Sequence, residues 1–127
     1  MAKKILVVDD DLNIVKVVES RLKANGYEVT HSGDGLDGIK KATSEKPDLI
    51  LLDVNMPHMN GLEALKKLKN DEGTKPIPVI MFTARHELGE IKNMFASGAV
   101  DYISKPFDSS ELLKKIERVL VIFSKKS

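Results

Sequence analysis

The chain contains no cysteine, which excludes disulfides, thiolate metal sites and the stapled frameworks of small secreted domains. It also lacks a surplus of charge, since 20 Lys plus Arg stand against 19 Asp plus Glu for a formal +1. No global field therefore draws in nucleic acid or an anionic membrane, and direct nucleic-acid binding is not expected. Long apolar runs are missing too: the longest cover five or six residues, against the roughly 20 that a membrane helix requires. Met1–Lys4 has no apolar stretch of the signal-peptide kind. These absences predict a cytoplasmic protein without membrane insertion. What is present is 127 residues, 42% of them hydrophobic, enough for one domain spanning 1–127 that buries roughly two thirds of its unfolded surface.

Five strand-sized apolar runs recur: Ile5–Val8, a weaker Tyr27–Thr30, Leu49–Leu52, Pro78–Phe82 and Ala99–Ile103. The first, third and fourth show no polar alternation, as expected of strands buried on both faces of a parallel sheet. Helical spacing links them, through Val15, Val18 and Leu22, then Leu36, Ile39 and Ala42, then Leu62, Leu65 and Leu68. Leu88, Ile91 and Phe95 mark a fourth helix, and Leu112, Ile116, Val119, Leu120 and Phe123 a fifth. Asp11 suits an N-cap, Asn25 and Gly26 a helix end, and Asp108 a second N-cap with Glu111 at the capping-box position. The pattern is an α/β fold, (βα) repeated five times, with helices on both faces of a parallel sheet. No low-complexity segment, repeat or linker divides it.

Polar residues follow the strands. Asp9, Asp10 and Asp11 close the first, Asp53 and Asn55 the third, Thr83 the fourth, and Lys105 the fifth. In a parallel sheet these ends share one edge, where open α/β sheets bind ligands. Two carboxylates 4 to 5 Å apart repel by roughly 3 to 4 kcal/mol at an effective dielectric near 20. One lysine cannot neutralise three acids, so either a pKa rises or a cation binds, and an all-oxygen site suits hydrated Mg²⁺ or Mn²⁺. A carboxylate beside a metal and an ammonium is equipped to attack phosphorus and form an acyl phosphate, which makes Asp53 the candidate nucleophile.

The segments Ile5–Asp10, Asp53–Gly61, Thr83–Ala84 and Asp101–Phe107, in this order and spacing, resemble the receiver domain of bacterial two-component response regulators. The resemblance is to the single-domain chemotaxis type and covers essentially the whole chain. It implies the flavodoxin-like fold with strand order 2-1-3-4-5. It further implies that Asp53 accepts a phosphoryl group from a sensor histidine kinase or phosphotransfer protein in a Mg²⁺-dependent reaction. Asp10 would bind the ion directly, Asp9 largely through water, and Asp53 with the backbone carbonyl of Asn55 would complete the protein ligands. Lys105 would pair with Asp53 and then with the phosphoryl oxygens, Thr83 would hydrogen-bond the phosphoryl group, and Tyr102 would be a rotamer-switching aromatic. A cis Lys105–Pro106 bond is also implied. The downstream protein target would meet the fourth helix, fifth strand and fifth helix, with the chain a monomer or weak phosphorylation-dependent dimer. Only Ser124–Ser127 follow the fifth helix, so no output domain is expected.

Plainer roles fit the other residues. Asp11 reads as a helix cap, Lys66, Lys67 and Lys69 as a solvated helix face, and Met56, Met59, Met81 and Met94 as packing. His31, His58 and His86 are isolated in the sequence, and Gly61 is expected to supply φ > 0 in the turn after Asp53. Asn55 and Arg85 occupy positions that flank the phosphoryl group in the family. Three other functions compete. An aspartyl-nucleophile phosphatase of the haloacid-dehalogenase type needs an acid where Asn55 stands, and a flavodoxin needs a phosphate loop where three aspartates follow the first strand. An interaction module that is never phosphorylated is disfavoured by the intact set Asp9, Asp10, Asp53, Thr83 and Lys105.

Overall fold

A computed structural model describes residues 2–56, 59–84 and 88–124. Strands β1 (Lys4–Val8), β2 (Glu28–Ser32), β3 (Leu49–Asp53), β4 (Val79–Thr83) and β5 (Asp101–Ser104) form one parallel sheet in the order β2-β1-β3-β4-β5. Between and after them run α1 (Leu12–Ala24), α2 (Gly35–Glu45), α3 (Gly61–Asn70), α4 (Leu88–Ala96) and α5 (Ser109–Ser124). This is the expected flavodoxin-like topology. In β2 to β5 seven bounds fall one or two residues further along than the apolar runs suggest, and β1 begins one residue earlier. Ala99 and Val100, for instance, precede β5, although the Val100 N–H already donates to the Val79 carbonyl at 2.9 Å.

Alternation along each strand divides the core in two. Leu6, Val8, Ile50, Leu52 and Met81 pack with Ala42, Leu65, Leu68 and Met94 from α2, α3 and α4. Ile5, Val7, Leu51, Ile80 and Phe82 pack with Val15, Val18 and Leu22 of α1 and Leu112, Ile116, Val119 and Leu120 of α5. Each such side chain contributes about 1.5–3 kcal/mol when fully buried. The edge strands are more exposed, which accounts for the weak apolar signal of β2.

Capping fixes where the helices begin. The Asp11 carboxylate accepts from the N–H groups of Asn13 and Ile14, Asp34 from that of Asp37, and Asn60 from that of Glu63. Asp108 accepts from the Ser110 N–H at 2.8 Å, whereas Glu111 lies 3.5 Å from Lys115 of the next turn. Among the described residues no helix is long and apolar enough to cross a membrane.

Several expectations need correction. Leu36, Leu88 and Phe95 are exposed, at 54%, 67% and 44%; α4 anchors itself through Met94 instead. Lys69 is not a solvated face residue: its ammonium donates to the carbonyls of Lys75 and Ile77 at 3.1 and 2.6 Å, and burial pulls its pKa below the usual lysine range. Gly61 does not adopt φ > 0; the glycines that do are Gly26 and Gly98. Gly61 is needed for close approach, because a Cβ there would stand 2.1 Å from the Asp53 carbonyl oxygen and 2.8 Å from the Val54 Cα.

Candidate functional site

The sheet topology delivers four strand ends to one edge. After β1 the Asp9 N–H donates to the Ser32 carbonyl (3.0 Å), which turns the chain so that Asp9 stays buried while Asp10 is exposed. The Asp11 N–H then donates to Asp9 Oδ1 at 2.9 Å, so the residue that caps α1 also orients the first acid. Asp53 ends β3 and is only 5% exposed, and its Oδ1 accepts from the Asn55 N–H at 3.4 Å. Thr83 ends β4 fully buried, in register with Ser104 of β5. Beyond β5 the Lys105 N–H donates to the Thr83 carbonyl (2.8 Å), and the Lys105–Pro106 bond is cis, in agreement with the resemblance.

Lys105 reaches back across the edge. Its Nζ lies 2.8 Å from Asp9 Oδ2 and 3.3 Å from Asp53 Oδ1. Expected mainly beside Asp53, this ammonium is thus closer to Asp9 and bridges both acids. It also sits 4.9 Å from the Phe82 ring centroid, and Phe107 supports that ring edge-on at 5.5 Å. Sequence reasoning misses this aromatic shelf; its one signal there is an aromatic residue beside Thr83 at a strand end.

Asp9, Asp10 and Asp53 offer carboxylate oxygens that all lie within 4.8 Å of one another. Among the described residues, three acids and one lysine leave a formal charge of −2 at this edge. Burial pushes Asp53 up to about 6, with the Asp9 charge adding to the effect and Lys105 opposing it. The Lys105 ammonium moves upward: burial works against it, but its hydrogen bond to Asp9 and the charges of Asp53 and Asp9 outweigh that cost. Oxygen-only ligands, surplus negative charge and an exposed Asp10 fit a hard, partly hydrated divalent cation.

Tyr102 stands apart from the acids, half-buried on β5, in register with Met81 and two residues before Ser104 on the same sheet face as Thr83. His31 is exposed, with Nδ1 3.7 Å from Glu19 Oε2, and takes no part in the cluster. Arg85, His58 and His86 lie outside the described residues.

A family model described as the response regulator receiver domain matches residues 5–117. Among curated relatives, the alkaline phosphatase synthesis transcriptional regulatory protein PhoP of Bacillus subtilis is 40% identical over 94% of this chain and 49% of its own length. The DNA-binding dual master transcriptional regulator RpaA of Synechocystis is 39% identical over 92% of this chain and 48% of its own. The chain thus spans about half the length of the curated relatives it matches. Among solved structures, a CheY-like response regulator receiver domain protein from Methanospirillum hungatei superposes with a TM-score of 0.93 at 32% identity, covering 100% of both chains. The receiver domain of sensor histidine kinase PA1611 from Pseudomonas aeruginosa superposes with a TM-score of 0.87 at 31% identity, covering 94% of this chain and 98% of that one. That structure carries a magnesium ion coordinated in its active site cleft.

Proposed function

The chain belongs to the response regulator receiver family, and from that premise we propose that its phosphorylation-regulated switch works through Asp53, which accepts a phosphoryl group from a sensor histidine kinase or phosphotransfer protein. The observation that carries this reading is the placement of Lys105 between Asp9 and Asp53, with all three carboxylates within 4.8 Å.

A carboxylate oxygen of Asp53 attacks phosphorus, an O–P bond forms as the P–N bond of the phosphohistidine breaks, and the departing imidazole takes up a proton. With its pKa near 6 the carboxylate is mostly ionised at pH 7, as a nucleophile must be. Lys105 already lies against Asp53 and neutralises the oxygens that gain charge. Thr83, buried at the adjacent strand end, supplies a hydroxyl to the phosphoryl group. Asp9, Asp10, Asp53 and the Asn55 carbonyl would hold Mg²⁺ or Mn²⁺, which when bound supplies positive charge for the phosphoryl oxygens.

A phosphoryl group brings close to two negative charges and strong acceptor oxygens, so it draws Thr83 inward and frees space on the sheet face that Tyr102 shares. The Tyr102 ring then turns in, and the surface of α4, β5 and α5 changes for a downstream protein. The chain acts as a signalling domain and catalyses only the gain and loss of its own phosphoryl group, in the cytoplasm.

Incubation with phosphoramidate, with and without Mg²⁺, followed by intact mass tests the central step. The wild type is expected to gain one phosphoryl mass in the presence of Mg²⁺, and Asp53→Asn none. An adduct that never forms, or forms equally on Asp53→Asn, overturns the reading and leaves an interaction module that works without phosphorylation.

A further inference from the structure

Tyr102 occupies an edge strand, and two neighbours hold its ring. Phe95 of α4 meets it edge-on, with centroids 6.4 Å apart and planes at 80°. Lys115 of α5 places its Nζ 5.0 Å from the ring centroid. That same Nζ donates to the Tyr102 carbonyl oxygen at 2.7 Å, while Asp101 Oδ1 and Glu111 Oε1 lie 3.4 and 3.5 Å away. The ring packs on the core beneath α2, α3 and α4, whereas α5 covers the opposite face of the sheet. The Lys115 stem therefore passes around the edge at β5 and joins a helix on one face to an aromatic ring on the other.

The chemistry exceeds what an ion pair needs. Asp101 and Glu111 would satisfy the charge of an exposed lysine, yet two of the Lys115 contacts, the carbonyl and the ring face, belong to residue 102. Arg118 shows the contrast: its Nη2 lies 3.2 Å from Asp101 Oδ2, and its side chain remains 66% exposed. One cation serves Asp101; the other also holds the tyrosine. A cation on a ring face attracts the ring's quadrupole, and a half-desolvated site strengthens the attraction.

We infer that Lys115 is a positioning residue that holds the Tyr102 ring in its resting place at the edge of β5, so that removing the ammonium lets the ring turn inward without phosphorylation. The inference rests on the proposed role of Tyr102 as the phosphorylation-responsive aromatic. The two arrangements coexist in equilibrium, and a contact present in only one of them shifts the populations by its strength.

The chain has two tyrosines, so in a Tyr27→Phe background 3-fluorotyrosine reports on Tyr102 alone by ¹⁹F NMR. Lys115→Met removes the ammonium and keeps an apolar stem. Its unphosphorylated resonance is expected to move toward that of the phosphorylated parent, the inward fraction rising about two- to fivefold, the factor set by a cation–π contact of ordinary strength. Lys115→Arg is expected to retain the parent resonance, and so is Arg118→Met, which loses an Asp101 partner but no contact with the ring. A Lys115→Met resonance that stays in place, moves away from the phosphorylated position, or is matched by Arg118→Met overturns the inference. Phosphorylation of the parent reports separately: a resonance indifferent to the adduct removes Tyr102 from the switch, and the hold of Lys115 is then read from whether Lys115→Met shifts the resting resonance while Lys115→Arg and Arg118→Met do not.

Discussion

At the scale of single residues, Asp53 is held against its own preference. Burial and the neighbouring Asp9 raise its pKa to about 6, whereas an unfolded aspartate titrates near 3.9. Between those values the folded chain binds the extra proton, so stability falls as the pH rises from about 4 through about 6. Asn at this position is isosteric and does not titrate. We expect urea denaturation of the metal-free proteins to give Asp53→Asn nearly the wild-type stability at pH 4 and a gain on the order of 2 kcal/mol at pH 7.5. A difference that does not change with pH would mean that the carboxylate is not strained. Gly61 is the opposite case, a residue with no chemistry that is indispensable for space. An added Cβ would overlap the Asp53 carbonyl at 2.1 Å, and backbone cannot rotate away as a side chain does. Gly61→Ala is expected to cost about 3 kcal/mol or more, at the upper end of overpacking, and to slow phosphorylation because the displaced atoms belong to Asp53 itself. Wild-type stability in Gly61→Ala would show that α3 shifts freely.

At the scale of elements, the helices differ in how firmly they are held. Both α1 and α5 bury regular apolar stripes, and the spacing of Val15, Val18 and Leu22, or of Leu112 and Ile116, reads directly from the sequence. The shorter α4 buries Met94 alone and exposes Leu88 and Phe95. Its sequence pattern misleads because periodicity marks an apolar face without saying whether the core lies under it. The turn after α4 is secured differently. Gly98 has φ +111°, and a Cβ there would stand 2.8 Å from the Lys69 Cγ, the stem of the half-buried lysine that closes the loop before β4. Gly98→Ala therefore meets a backbone penalty and a clash together. We expect thermal unfolding to show a loss of about 2–3 kcal/mol, above the roughly 1 kcal/mol of a strained backbone position alone. In Gly98→Ala combined with Lys69→Ala, part of that loss should return; strict additivity would disconnect the two residues. The turn lies between α4 and β5, so the same variant tests whether the proposed partner face depends on a lysine at the other end of α3.

For the whole molecule, the balance of charges conceals a polarity along the strands. The net charge is +1, yet the C-terminal edge of the sheet gathers three aspartates around one lysine. Parallel topology is what makes this polarity legible in the sequence: four strand ends must meet, so Asp9, Asp53, Thr83 and Lys105 can be brought together from their order along the chain alone. The preference of Lys105 for Asp9, its shelf of Phe82 and Phe107, and the hold of Lys115 on Tyr102 could not be read, because they depend on side-chain reach across strands rather than on register. A folded state that concentrates repulsion at one edge should be stabilised by any ligand that relieves it there and not in the unfolded chain. At 100 times its dissociation constant, Mg²⁺ should add about 2.7 kcal/mol, which for a chain of this size raises the unfolding midpoint by roughly 10 °C. General screening by salt would act on every charged pair, so the comparison is made at matched ionic strength with NaCl. Asp10→Asn, which removes an exposed acid of the cluster and leaves the Lys105 bridge intact, should lose most of the Mg²⁺ shift and keep the response to NaCl. If Mg²⁺ raises the midpoint of Asp10→Asn as much as that of the wild type, Asp10 is not a ligand of the ion; if NaCl reproduces the whole effect, the acidic edge is relieved by general screening and not by holding a divalent ion.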